Sequence, residues 1–122
     1  MVKNINDFQK LKNNAEKIAM LTAYDYSTAQ LVEQAGVDLI LVGDSLAMVA
    51  LGYRDTYVVG IDEMVVFTRA VSKGARNSFI VGDMPFMSYN ISLEQGLAKN
   101  VWMLMEILCL NAGKQAKSSR SI

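Results

Sequence analysis

Two short apolar runs in this chain end in the same tripeptide, Val-Gly-Asp. The first run ends at Asp44 and the second at Asp83, so each aspartate directly follows a glycine at the end of a strand-forming segment. Short continuous runs of isoleucine, leucine and valine are typical of strands in a parallel sheet. Because parallel strands need crossover connections, which are usually helices, this pattern restricts the chain to an alternating α/β fold.

The segments around these runs complete an alternating pattern. A leading helix is predicted behind Asn6 as its N-cap, and residues 43–61 form a long segment without clear periodicity. The order of elements is a leading helix followed by three strand–helix units. This order predicts three parallel strands side by side with their carboxyl ends on one rim. The predicted strands cover residues 17–22, 37–42 and 78–81, and the later helices run over residues 25–35 with a stop at Gly36, from Asp62 to Gly74, and from Ser92 to Gly113. Residues 1–113 are predicted as one partial domain, and residues 114–122 as a disordered polar tail.

Composition excludes several classes of function. The twelve basic and twelve acidic residues cancel, so no basic stripe for nucleic acid is present. No apolar run approaches the roughly 18 residues of a membrane span, and the polar N-terminus lacks a signal peptide. Cys109 is the single cysteine, which makes a reducing cytoplasm the expected location. The chain has no histidine, which removes histidine-based triads, metal sites and general bases.

Asp44 and Asp83 are the candidate functional residues. Neighbouring parallel strands lie about 4.8 Å apart, so carboxylates at two such ends can face one metal ion or substrate. The glycine before each aspartate lets the backbone turn sharply and lets a ligand approach it. Two carboxylates with open positions suit Mg²⁺. The alternative is that each aspartate caps the turn that follows it.

Residues 43–46 also spell Gly-Asp-Ser-Leu, the signature of a family of lipases and esterases. That chemistry needs a base, normally histidine, to deprotonate the serine, and this chain has none. Ser45 is therefore interpreted as a hydrogen-bond donor to a substrate carboxylate. Tyr24, at the end of the first strand on the same rim, is either a donor to substrate or a packing residue.

Four motifs occur in an order and spacing that resemble the ketopantoate hydroxymethyltransferase family. They are Leu-Thr-Ala-Tyr-Asp at residues 21–25, Val-Gly-Asp-Ser-Leu at 42–46, Thr-Arg-Ala-Val at 68–71 and Gly-Asp-Met-Pro-Phe at 82–86. The resemblance extends from residue 4 to about residue 97. It implies a (β/α)₈ TIM barrel of the phosphoenolpyruvate/pyruvate superfamily, of which this chain would carry three βα units.

The resemblance also implies a reaction and a set of ligands. The family transfers a hydroxymethyl group from 5,10-methylenetetrahydrofolate to 3-methyl-2-oxobutanoate, giving 2-dehydropantoate for pantothenate biosynthesis. Two aspartates on these motifs help hold Mg²⁺, which chelates the 2-oxo acid, and they correspond to Asp44 and Asp83. Ser45 corresponds to a contact with the substrate carboxylate. The expected partners are the 2-oxo acid and the folate, and neither nucleic acid nor a membrane is expected. A homo-oligomer like that of the family is compatible with the resemblance.

One later motif of the family, Lys-x-Glu-Gly-Gly, has no counterpart here. It supplies a substrate lysine and a further metal carboxylate, whereas Lys114 and Lys117 lie in the polar tail. The family's glutamate base also falls beyond this chain, so no catalytic residue is assigned. The chain is interpreted as a truncated member that is inactive alone and whose open sheet edges invite self-association. Two other interpretations remain, namely another Mg²⁺-dependent 2-oxo-acid enzyme of the isocitrate lyase/phosphoenolpyruvate mutase superfamily, and a non-enzymatic remnant.

Overall fold

The computed structural model describes residues 3–88 together with Glu94 and Asn111. The described strands form one parallel sheet in the order β1-β2-β3, which confirms the predicted alternating α/β arrangement. The elements are α1 (Ile5–Asn13), β1 (Met20–Thr22), α2 (Tyr26–Gln34), β2 (Leu39–Val42), α3 (Leu46–Val49), α4 (Ile61–Gly74) and β3 (Phe79–Gly82). Glu94 and Asn111 are both helical. The rest of the last predicted helix and the tail over residues 114–122 lie outside the described residues.

The first helix begins two residues earlier than its sequence pattern predicts. Asn4, not Asn6, is the N-cap of α1: its side chain accepts a hydrogen bond from the Asp7 N–H at 3.1 Å, and the Asp7 carboxylate accepts from the Asn4 N–H at 2.9 Å. In this reciprocal capping box the side chain three residues after the cap bonds back to the N–H group of the cap, and Asp7 does so for Asn4. The prediction of Asn6 as N-cap was therefore wrong by about half a turn.

Helices α2 and α4 pack against each other and against one face of the sheet. Ile40, Val42 and Ile80 of the sheet are fully buried in this layer. The helices approach closely because Gly74 has no side chain: a Cβ at this position would lie 2.3 Å from the Tyr26 carbonyl oxygen. The main core is therefore the layer between α2, α4 and the central strand.

Strand β1 is shorter and more exposed than the buried strand predicted over residues 17–22. It covers three residues, and Met20 and Leu21 are each 50% exposed. Hydrophobicity alone predicted burial, but β1 lies at the edge of the sheet, and within the described part of the chain only β2 pairs with it. Its position in the sheet, rather than its composition, explains the exposure.

The opposite edge of the sheet is partly covered. The Asn111 side chain donates from Nδ2 to the Ile80 carbonyl at 3.0 Å and accepts the Ile80 N–H at Oδ1 at 3.1 Å. Asn111 is only 3% exposed, so this amide replaces, at one residue of β3, the two bonds that a further strand would make. The expectation of exposed sheet edges is therefore corrected at Ile80, where Asn111 covers the edge.

The long segment between β2 and α4 contains one turn of helix that its sequence did not indicate. Helix α3 (Leu46–Val49) begins two residues after Asp44 and is anchored by the fully buried Leu46 and Ala47.

Among the described helices, none has both the length and the apolar character needed to cross a membrane.

Candidate functional site

The carboxyl ends of the three strands bring Tyr24, Asp44, Ser45 and Asp83 to one rim of the sheet. The ladder of backbone hydrogen bonds continues past the strand ends on both sides of β2. The Ala23 N–H donates to the Leu41 carbonyl at 3.1 Å, and the Asp83 N–H donates to the Val42 carbonyl at 3.0 Å. These bonds hold the segments after β1 and β3 against the end of β2, as the sequence pattern predicts for a parallel sheet.

The two aspartates are joined by a hydrogen bond between their segments. The Asp83 Oδ2 atom accepts from the Asp44 N–H at 3.1 Å. One oxygen of Asp83 therefore fixes the turn that carries Asp44. In the described part of the chain, the Asp44 carboxylate itself accepts no hydrogen bond. The alternative that each aspartate caps its own following turn does not match these contacts, because Asp83 holds the neighbouring turn and Asp44 caps none.

Ser45 and Tyr24 form the second contact of the rim. The Tyr24 hydroxyl and the Ser45 Oγ atom lie 2.7 Å apart, and either can be the donor. Both residues are half-buried. Ser45 stands at the N-cap position of α3 without making a side-chain cap, so its hydroxyl is turned toward Tyr24 instead. The sequence placed both residues on the rim but gave no sign that they contact each other.

Gly43 makes room for these contacts. A Cβ at this position would lie 2.9 Å from Ser45 Oγ and 3.5 Å from Asp83 Oδ2. A distance under 3.0 Å forces the neighbouring atom to move. The glycine was predicted from the sequence to allow a ligand near the backbone, and the structure adds that the Ser45 hydroxyl already uses this space, whereas Asp83 Oδ2 lies at an ordinary contact distance from it.

The donor set of the rim fits a hard cation that keeps open positions. Asp44 and Asp83 offer carboxylate oxygens only, and Mg²⁺ is usually bound through one or two carboxylates plus water and substrate oxygens. Across the described residues, no group of three or more histidine, cysteine, aspartate or glutamate side chains gathers into a metal cluster. Two carboxylates match the number through which Mg²⁺ is usually held, whereas an enclosed structural site for zinc takes four protein ligands.

Carboxylates at the opposite, amino end of the strands hold the fold rather than the site. Hydrogen bonds from the Lys3 side chain and the Ala19 N–H hold the pKa of Asp38, just before β2, below its usual value. Glu33, in the last turn of α2, binds the backbone N–H group of Ser78, just before β3. In parallel α/β folds, ligands bind at the carboxyl ends of the strands, so these acids are separate from the candidate site.

These features define a parallel α/β chain with two aspartates and a paired serine and tyrosine on the carboxyl rim of its sheet. A family model described as ketopantoate hydroxymethyltransferase matches residues 2–117. The chain belongs to the ketopantoate hydroxymethyltransferase family, which confirms the resemblance found in its motifs.

Similar proteins carry the name 3-methyl-2-oxobutanoate hydroxymethyltransferase. The one from Clostridium novyi (strain NT) is 58% identical over 93 residues, covering 76% of this chain and 34% of that relative. The one from Geobacillus sp. (strain WCH70) is 52% identical over 113 residues, covering 93% and 40%. The one from Geobacillus thermodenitrificans (strain NG80-2) is 55% identical over 108 residues, covering 88% and 38%. This chain therefore spans 34–40% of the length of these relatives.

Proposed function

We propose that this chain carries part of the substrate site of a 3-methyl-2-oxobutanoate hydroxymethyltransferase. The complete enzyme would transfer a hydroxymethyl group from 5,10-methylenetetrahydrofolate to 3-methyl-2-oxobutanoate and release 2-dehydropantoate for pantothenate biosynthesis in the cytoplasm. Family membership supports this reaction over that of another 2-oxo-acid enzyme, because relatives at 52–58% identity bear the transferase name.

The observation that carries the proposal is the hydrogen bond between Asp83 Oδ2 and the Asp44 N–H at 3.1 Å. It fixes two carboxylate-bearing segments side by side on adjacent strand ends. In this proposal Asp44 and Asp83 hold Mg²⁺, and Ser45 donates its hydroxyl hydrogen to the substrate carboxylate. Bound Mg²⁺ would supply a Lewis acid that polarises the 2-oxo group.

The chain's own residues then act on binding and orientation. Asp83 uses one oxygen to hold the Asp44 turn, which leaves its other oxygen for a ligand. Ser45 lies next to Asp44, so a carboxylate bound by its hydroxyl stays within reach of an ion held by the aspartates. A 2-oxo acid presents its carboxylate and its keto oxygen on adjacent carbons, which matches two neighbouring contact points.

We also infer that the described βα units form part of a (β/α)₈ barrel. The parallel order of the three strands and the packing of α2 and α4 on one face of the sheet support this architecture. A barrel of this kind takes about 250 residues. A polypeptide of these 122 residues alone is expected to bind the oxo acid without turning it over. The reason is that the Lys-x-Glu-Gly-Gly motif, with its substrate lysine and further metal carboxylate, and the glutamate base of the family have no counterpart in these 122 residues.

The test is a calorimetric titration of the 122-residue chain with 3-methyl-2-oxobutanoate, with and without Mg²⁺. Binding is expected only with Mg²⁺, and Asp44→Asn is expected to abolish it. Asp62→Asn, an exposed aspartate in the first turn of α4, is the matched control and should bind like the unmodified chain. Equal binding with and without Mg²⁺, or full binding by Asp44→Asn, would overturn the proposal. Formation of 2-dehydropantoate by the chain alone would overturn the expectation of inactivity.

A further inference from the structure

The contact between Tyr24 and Ser45 has a consequence for substrate recognition that rests on the function proposed above. We propose that Tyr24 is a positioning residue: its phenolic hydroxyl donates to Ser45 Oγ, and the Ser45 hydrogen is thereby directed to the carboxylate of the 2-oxo acid. The 2.7 Å separation of the two oxygens is the observation that carries this inference.

The chemistry of the two hydroxyls sets the direction of the hydrogen bond. Each hydroxyl has one hydrogen and two acceptor lone pairs. If Ser45 donated to Tyr24, its only hydrogen would be used, and it would present lone pairs to an anion. If Tyr24 donates, Ser45 accepts and keeps its hydrogen for the substrate. A phenol is also a better donor than an aliphatic alcohol, because its ring delocalises the charge left on oxygen. An anionic ligand at Ser45 therefore selects donation by Tyr24.

The backbone on both sides of the contact is already fixed. The Ser45 carbonyl accepts from the N–H groups of Met48 and Val49 at 3.0 Å each, so the first turn of α3 holds the Ser45 backbone. Ala23, just before Tyr24, is 1% exposed and bonded to β2. The remaining freedom of Ser45 is rotation of its side chain among three staggered positions. Among the described residues, the Tyr24 hydroxyl is the group that bonds to Ser45 Oγ, and this bond favours one of the three positions.

The size of the effect follows from the loss of one hydrogen bond. Such a bond contributes enough net free energy to change affinity by about 3- to 10-fold. Tyr24→Phe removes the hydroxyl and keeps the ring, so packing is retained while Ser45 is left to rotate. Cooperative polarisation along the chain of hydroxyls adds to the loss.

A double-mutant cycle separates this role from packing. Dissociation constants for 3-methyl-2-oxobutanoate at saturating Mg²⁺ are measured for the unmodified chain, Tyr24→Phe, Ser45→Ala and the double variant. Tyr24→Phe is expected to weaken binding about 3- to 10-fold when Ser45 is present and to have no further effect in the Ser45→Ala background. The dissociation constant for Mg²⁺ alone should not change. Tyr26→Phe is the matched control, since its exposed hydroxyl contacts Gln30 at 3.0 Å.

Each outcome assigns the failure to one proposal. Additive effects of the two substitutions, or unchanged affinity of Tyr24→Phe, would overturn the positioning role while leaving the proposed function intact if the unmodified chain binds. If the folded, unmodified chain does not bind the oxo acid with Mg²⁺, the proposed function fails, and this inference fails with it. Circular dichroism of all four chains shows whether each is folded.

Discussion

Replacing Glu33 with glutamine is expected to lower the free energy of unfolding at neutral pH by about 1–2 kcal/mol. Glu33 lies in the last turn of α2 and reaches the segment that enters β3. Its Oε1 atom accepts from the Asn77 N–H at 2.6 Å, the Ser78 N–H at 2.9 Å and the Ser78 hydroxyl at 3.3 Å. One carboxylate thus ties a helix to the start of the third strand.

The magnitude follows from the two short bonds. A hydrogen bond to a charged group contributes about 1.5–3 kcal/mol net, and one between neutral groups about 0.5–1.5 kcal/mol. Glutamine keeps the shape and a carbonyl oxygen, so each short bond loses about 1 kcal/mol. The 3.3 Å bond is too long to add much. The two short bonds together would lose about 2 kcal/mol. Solvent screens the partly exposed carboxylate, so the expected loss in the free energy of unfolding is about 1–2 kcal/mol.

The effect is expected to depend on pH. Partial burial raises the pKa of Glu33, but the N–H groups of Asn77 and Ser78 outweigh it, so the pKa falls below the usual 4.5. A carboxyl whose folded-state pKa is depressed contributes its full stability above the unfolded-state pKa, and this is lost as pH falls through the folded-state pKa. The difference in the free energy of unfolding between the unmodified chain and Glu33→Gln should be constant above about pH 5 and shrink below about pH 4.

Urea unfolding followed by circular dichroism measures this difference at about pH 7, 5 and 3.5. Glu16→Gln is the control, because the exposed Glu16 carboxylate meets the Asn14 side chain at 3.2 Å and should change stability by no more than about 0.5 kcal/mol. Equal stability of Glu33→Gln and the unmodified chain at pH 7 would refute the role of this contact. A difference that is the same at pH 3.5 as at pH 7 would refute its dependence on charge.

Three further substitutions probe the helix layer, the rim and the sheet edge. Gly74→Ala should lower the free energy of unfolding by about 1–3 kcal/mol, because its Cβ would lie 2.3 Å from the Tyr26 carbonyl oxygen; an unchanged urea midpoint would contradict this. Gly43→Ala should change stability by less than about 1 kcal/mol but weaken calorimetric oxo-acid binding about 3- to 10-fold, since it displaces the Ser45 hydroxyl; unmodified affinity would argue against that site. Asn111→Ala should lower the free energy of unfolding by about 1–3 kcal/mol and increase self-association in sedimentation velocity, because it uncovers the edge of β3. An unchanged sedimentation profile would count against the role of Asn111 in covering this edge.

Much of the fold follows from local patterns in the chain. The strand before Asp44 and the strand before Asp83 were predicted within two residues of their observed ends, because continuous apolar runs are hard to satisfy outside a sheet core. Helix α3 was missed because one turn is too short to display a helical period. The exposure of β1 was also missed, because burial depends on which strands stand beside it.

Local patterns along the chain predicted the alternation of the three strands with α2 and α4 and placed the glycine–aspartate steps on the rim of the sheet. They do not specify the contacts that organise the candidate site. The bond from the Asp44 N–H to Asp83 spans 39 positions, and the pairing of Tyr24 with Ser45 spans 21. Both require a common strand register and particular side-chain rotamers. Those are set by packing in three dimensions, because a hydrogen bond forms only when its two heavy atoms come within about 3 Å.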